Sequence, residues 1–450
     1  MTDSTDQRDP AVGPDLGHEA PDHAPPAPDE QRSALTRLLI VLAGGAAAAV
    51  VTGTTKTVAV VVALIVMVML HELGHFLTAK WGGMKVTEFF VGFGPRLWSV
   101  RRGETEYGVK AIPAGGYVKI IGMNNLDQIE DPADEPRTYR QQSFPRRFAV
   151  AVAGSTMHFL IAFVLFFVIN AVVGVPGLTM QVGELSRLES GRSPAEEAGL
   201  EVGDRILSID GRRFAAWDDI PPYIRQRPGQ ELTFRVERDG RTLELVATPL
   251  DLSEVEVRGM PATSEPTGFV GIGPDLEFAK RNPVESLGVA ARQFVGGDFG
   301  TSDTQVSPGL IDNAKALAQV LSPSGLASYW RTVTGQPQAG EGDEGARFLS
   351  PVGFVRVAGE AADTGLFEVL ILLIAINIFI GLFNLLPLLP LDGGHVAIAV
   401  YEAVRSKVTG RRHRVDVAKL MPITYAVVIF IVLLGVSALY LDIVRPIELR

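Results

Sequence analysis

Two histidines and a glutamate stand in HELGH, residues 71–75, near the end of the apolar stretch VMVMLHELGHFLTAK. On a helix His71 and His75 lie one turn apart on one face, so both imidazoles reach a single cation while Glu72 sits beside the open coordination position. That is the arrangement of a hydrolytic zinc site. Zinc brings the pKa of its water towards neutrality, and an adjacent carboxylate takes the proton as the hydroxide attacks a carbonyl. The pattern also arises by chance in helical cores, where a histidine is simply hydrogen-bonded. Its place at the end of a membrane-length run argues against chance, because an ionisable group there carries a cost that neutral residues avoid.

A catalytic zinc usually has three protein ligands, so a third is required. Asp392, in FNLLPLLPLDGGH (383–395), is the best candidate: it follows an apolar run interrupted by Pro387 and Pro390, and Gly393 and Gly394 leave the backbone room to turn. The plain alternative is that LDGG is a helix-ending turn. His395 is a rival ligand, with Asp392 expected to hold the metal. His18 and His23 near the N-terminus are expected to be solvated.

The elements that must position these groups follow from composition. Of 450 residues 47% are hydrophobic and only 20% charged, which calls for membrane spans. A net charge of -10 argues against a nucleic-acid partner. Cysteine is absent, so any metal is held by His, Asp or Glu. Residues 1–34 read as a disordered acidic tail. Apolar runs at about 36–54, 58–79, 148–173, 367–387 and 421–441 approach the roughly 20 residues a spanning helix needs. The first follows an acidic tail rather than a basic leader, so an extra membrane helix is expected instead of a signal peptide. Lys and Arg concentrate in 80–147 and 402–420, which places both segments and the N-terminus in the cytosol, with the long stretch after the third span and the C-terminus outside. HELGH and LPLDGGH then arrive at the same side. They can meet.

Outside, SPAEEAGLEVGDRILSIDGRRF (193–214) and ELTFRVERDGRTLELVATP (231–249) combine a short helical piece, Gly-Asp and Asp-Gly turns and alternating strands at Arg205–Ile209 and Leu232–Val236. The stretch 176–278 resembles a PDZ domain, whose groove takes an extended peptide, such as a C-terminus, as an added strand. The same fold used only as a steric filter is equally compatible. Residues 279–365 read as a mixed, loop-rich linker.

Taken together, HELGH in the first span of a four-span core, the PDZ-like insert and NLLPLLPLDGG in the third core span resemble the site-2 protease family of intramembrane zinc metalloproteases, in its bacterial PDZ-bearing branch. The resemblance covers residues 57–441. It implies Zn2+ held by His71, His75 and Asp392, Glu72 as general base, and Asn384 holding the substrate backbone. MKVTEFFVGFGPRLWSVRRGETEYGVKAIPAGGYVKIIGM (84–123), with Gly92, Gly94, Gly115 and Gly116, is similar to the family's membrane-associated β-hairpin, which pairs with the substrate strand; a cytosolic β-rich linker is the bland alternative. One departure stands out. Where many relatives carry Gly-Pro-x-x-Asn, this chain reads AGSTMHF (153–159), with Ser155 for the Pro and His158 for the Asn. His158 could hydrogen-bond a group behind a metal ligand or shuttle protons, a helix-facing polar contact being its plainer role. Asn377, two turns before Asn384, is a second candidate for the substrate cavity, an interhelical hydrogen bond being its duller role.

The expected fold is thus an α-helical polytopic membrane protein with a β-rich hairpin region and an extracytoplasmic PDZ-like α+β domain. Its parts are a tail (1–34), an extra helix (35–55), a first core half (56–175), the PDZ-like domain (176–278), the linker (279–365) and a second core half (366–450). The resemblance implies a bacterial inner-membrane protease that cuts single-pass membrane proteins within the lipid bilayer, such as anti-sigma factors or signal-peptide remnants. Two other classes stay open: an inert PDZ-bearing membrane scaffold, and a metal transporter. Against the transporter stands the lack of an inverted repeat.

Overall fold

The computed structural model describes residues 28–123, 129, 131–186, 188, 191–253, 265–296, 307–335 and 348–444. The chain divides into two compact units: Met1–Phe159 with Val320–Thr364 and Ile380–Arg450, and Leu160–Gln319 with Gly365–Phe379.

The first unit opens with helix α1 (Pro28–Thr52) and helix α2 (Thr55–Trp81). The disordered tail expected over 1–34 therefore needs correcting at its end. Residues 28–34 are helical, since Pro28 has no N–H to leave unpaired and suits a first helical position. Residues 1–27, with His18 and His23, lie outside the described residues. The 27 residues of α2 span about 40 Å at about 1.5 Å each, enough to cross a hydrocarbon core and still carry HELGH inside it.

Two long strands follow, β1 (Val86–Arg102) and β2 (Thr105–Ile120). They form more than a simple hairpin. Phe89 pairs with both Val118 and Tyr107, and Phe90 with both Tyr117 and Gly108, while residues 98–102 pair with 105–109. Bent back on themselves, the two strands make a curled sheet whose segments run in the order 116–120, 86–91, 105–109, 98–102. Gly92 permits one bend: it has φ +84, and a Cβ there would lie 2.7 Å from the Ile112 carbonyl oxygen. The turn of the hairpin is clasped to the end of α2 by Lys80–Glu104 (2.5 Å) and to the segment 132–137 by Arg137–Glu104 (2.8 Å). Helix α3 (Phe144–Val168) comes next and runs on as a π-helical turn, Ile169–Val173.

The second unit is built on a five-stranded antiparallel sheet. Its strands are β3 (Val175–Leu185), β4 (Arg205–Ile209), β5 (Leu232–Arg238), β6 (Arg241–Ala247) and, after two short strands β7 (Leu250–Asp251) and β8 (Gly268–Phe269), β9 (Ile272–Ala279). The order is β6-β5-β4-β3-β9. Helices α4 (Pro194–Glu197) and α5 (Ile220–Arg225) accompany it. Val182, Ile206, Ile209, Trp217, Ile220, Phe234 and Val236 fill its core. Ser193 and Glu196 make a reciprocal capping box on α4. Asp239–Gly240, both at positive φ, turn β5 into β6. In the π-helical turn after α3, Asn170 is a buried hub: its side chain donates to Gln293 Oε1 (2.7 Å) and accepts from Arg281 (2.8 Å).

The described residues of 279–365, a region expected to be loop-rich, are mostly helical. It holds α6 (Pro283–Val295), α7 (Leu310–Val320), α8 (Pro323–Thr334) and α9 (Pro351–Thr364). Asn282 and Ser322 cap α6 and α8 through their side chains, with Pro at the first helical position.

The last three helices are α10 (Leu366–Asn384), α11 (Asp392–Thr409) and α12 (Met421–Val444). The fourth apolar run was expected to reach residue 387. It stops at Asn384, short of Pro387, because a residue before proline is pushed out of the helical region. Among the described residues five helical stretches are long and apolar enough to cross a membrane: 31–52, 55–81, 144–173, 366–384 and 417–444.

Candidate metal centre

His71, His75 and Asp392 each offer a ligand atom within one small cluster of the first unit. His75 Nε2 lies 3.2 Å from His71 Nε2 and 3.2 Å from Asp392 Oδ2, and His71 Nε2 lies 3.4 Å from that same oxygen. Ligands about 2.0–2.2 Å from a tetrahedral zinc are about 3.3 Å apart, so this triangle has the size that zinc requires.

Hydrogen bonding explains why the triangle is not self-satisfied. The Nδ1 of His75 donates to the Val150 carbonyl at 2.7 Å, which leaves Nε2 carrying a lone pair. Asp392 Oδ2 is buried with no hydrogen-bond donor. Three potential ligand atoms thus converge inside the protein, an arrangement that a shared cation makes favourable. The donor set fits zinc.

Glycines let the helices close around the cluster. At Gly154 on α3 a Cβ would lie 2.4 Å from His75 Nε2 and 2.5 Å from His71 Nε2. Gly74, inside HELGH, presses α2 on α3: a Cβ there would meet the Ala153 carbonyl oxygen at 2.7 Å. Gly393 brings the start of α11 against the end of the preceding turn, where a Cβ would lie 2.2 Å from the Leu386 carbonyl oxygen.

Glu72 sits beside this cluster and beside the curled sheet. The Val118 backbone N–H, on the sheet's edge segment, is directed at its carboxylate. A Cβ on Gly116 would come within 3.5 Å of Glu72 Cγ. Of the four hairpin glycines expected near substrate, Gly116 is next to Glu72; Gly92, Gly94 and Gly115 adopt positive φ and shape the hairpin. His158 is fully buried with its ring 4.9 Å from that of His71. The ring of His395 stands edge-on to Tyr139, outside the triangle. Asn384 closes α10, and buried Asn377 donates to the Leu373 carbonyl of its own helix at 2.7 Å.

Two features escaped the sequence reading. Gly154 has a faint signal, the small-residue run AGST in an apolar span. Arg147 and Glu402 form a buried ion pair at 2.6 Å that ties the base of α3 to the middle of α11, the helix that Asp392 begins. Glu402 also accepts from the Val415 N–H (2.6 Å), and Arg147 stacks over Tyr139, whose hydroxyl donates to the Arg147 carbonyl. Nothing in the spacing of 147 and 402 announces the pair.

Apolar spanning helices that bring a His2Asp triangle and a glutamate together define a membrane-embedded metallopeptidase. Comparison agrees: the model of peptidase family M50 matches residues 59–431, and the chain belongs to that family, the site-2 proteases. Zinc metalloprotease Rip1 of Mycobacterium bovis is 35% identical over 413 residues, covering 85% of this chain and 96% of that protein. Rip1 of Mycolicibacterium smegmatis is 35% identical over 416 residues with the same coverage. The protein is a zinc metalloprotease of the site-2 type, embedded in a membrane.

Proposed function

We propose that the protein cleaves the membrane-spanning segments of single-pass membrane proteins, and that His71, His75 and Asp392 hold the zinc. The observation that carries this reading is the meeting of the metal triangle, Glu72 and the outermost segment of the curled sheet in one place. A peptide bond within a spanning helix has its carbonyl engaged by the backbone ladder, so the substrate has to unwind before it reacts. An unwound segment has unpaired N–H and C=O groups, and the edge segment 116–120 offers partners for them.

When bound, zinc supplies Lewis acidity, polarising a carbonyl and acidifying water. Glu72 accepts the proton of the attacking water and returns it to the departing amide nitrogen. The Val150 carbonyl fixes the His75 tautomer so that Nε2 faces inward. His158 supports the ring of His71. Asn384, at the end of α10, is assigned to the substrate backbone.

For the second unit we assign residues 176–278 to a PDZ-like module that takes a peptide C-terminus or excludes uncut substrates. The Lys and Arg distribution supports an orientation with this module and the C-terminus outside the cytosol. With the metal site towards the cytosol, the released fragment would be cytosolic, as from an anti-sigma factor or a signal-peptide remnant in an inner membrane. The experiment is cleavage of a single-pass substrate by the full chain in proteoliposomes. Glu72→Gln is expected to retain zinc while losing roughly 10²- to 10⁴-fold in rate. Wild-type cleavage by that variant would remove the proposal.

A further inference from the structure

Helix α11 carries a surface that the protease chemistry leaves unused. Val400, Tyr401, Val404 and Val408 are 39%, 46%, 58% and 80% exposed, and their spacing sets them along one stripe. Ala399 and Glu402, on the opposite side, are buried. Arg405 and Lys407 flank the apolar stripe, one to each side, and Arg411 and Arg412 follow in the exposed turn after the helix. Among the described residues none of these four cations pairs with a carboxylate; Arg405 reaches only the Tyr401 hydroxyl and ring.

An apolar stripe bordered by cations is what an interfacial helix presents to a membrane: aliphatic groups enter the acyl region and long basic side chains snorkel to the phosphates. Continuity fixes the occupant. Along the chain the helix lies between two membrane-length helices, α10 ending at Asn384 and α12 starting at Met421, which tether it at a membrane surface. Four unpaired positive charges select for negative headgroups.

We infer that α11 and the turn after it form a binding site for anionic phospholipid, with Arg405, Lys407, Arg411 and Arg412 holding the headgroup phosphate and Val400, Val404 and Val408 against the acyl chains. Because Asp392 begins the same helix, a lipid seated on its outer face and the Arg147–Glu402 pair on its inner face together fix the helix that supplies the third ligand. That consequence alone rests on the ligand role proposed for Asp392; the lipid site does not.

The test is native mass spectrometry of the purified full chain in detergent, titrated with dioleoyl phosphatidylglycerol and, separately, dioleoyl phosphatidylcholine. The expected result is preferential retention of phosphatidylglycerol, weakened at least about tenfold when Arg405, Lys407, Arg411 and Arg412 are all changed to Gln, given roughly 1 kcal/mol per cation at a membrane surface. Equal retention of the two lipids by the wild type, or an undiminished preference in the fourfold variant, overturns the proposal. Should that variant not fold, salt decides: near 1 M, where screening extends only about 3 Å, the wild-type preference should vanish. Glycerol phosphate binding as tightly as the whole lipid would overturn the apolar half of the site. Neither arm reads cleavage or zinc, so a negative result leaves the proposed chemistry standing.

Discussion

Gly154 and His75 are so close that a methyl group on the glycine would lie 2.4 Å from the imidazole Nε2, the atom that points at the metal position. Gly154→Ala should therefore force the two imidazoles apart or block the cation. We expect zinc affinity to fall by at least roughly 10- to 100-fold, the cost of disturbing a shell around a metal, with cleavage falling in parallel. Metal analysis of the purified variant checks this; full zinc occupancy would show that the helices can part to admit a side chain.

Removing a ligand tests the triangle itself. Asp392→Asn keeps the size of the side chain but loses its charge, and zinc retention through dialysis should drop below that of the wild type by more than Glu72→Gln lowers it. Stripping the wild type with a chelator should abolish cleavage, and added zinc should restore it.

The ion pair between Arg147 and Glu402 separates packing from charge. Deleting one partner leaves a buried charge uncompensated, so Glu402→Met alone should destabilise the chain by about 3–5 kcal/mol. Changing Arg147 to Met as well should recover most of that loss. Unfolding in graded denaturing detergent, followed by helical circular dichroism, reads both. Equal loss in the single and double variants would mean that the stems, not the charges, hold α11.

Acid should loosen the second unit through Asp204. Burial pushes its carboxyl up, but Arg238, bonding both oxygens at 2.6 and 2.8 Å, and the Glu201 N–H outweigh burial and hold it below the usual range. A group held low in the folded state stabilises fully above its unfolded pKa of about 3.9 and loses that contribution as pH falls through the folded value. Amide exchange in β4 and β5 should accelerate on acidification through that window, and Asp204→Asn should remove the dependence while starting from a less protected state.

The sequence made the candidate site legible because its spacing is local: His71 and His75 are one helical turn apart, and Asp392 is marked by the prolines and glycines around it. What it hid depends on distant partners. The double pairing of Phe89 and Phe90 arises only after the strands bend, so a plain hairpin was the natural expectation. Helices α6, α8 and α9 fall in the stretch that reads as a mixed, loop-rich linker, and each begins with a proline: Pro283, Pro323 and Pro351. Preceded by Asn282, Ser322 and Ser350, they are starts, a cap followed by a residue with no N–H to lose.

The placement of Val118 against Glu72 has a consequence for selectivity. On the proposed function, a polypeptide added beside the 116–120 segment would lie about 4.8 Å from it, so recruitment and bond breaking would share one address. Such an edge recognises main chain and is nearly indifferent to side-chain identity. On the proposed function, choice among membrane helices would rest on how readily each one frays rather than on its sequence.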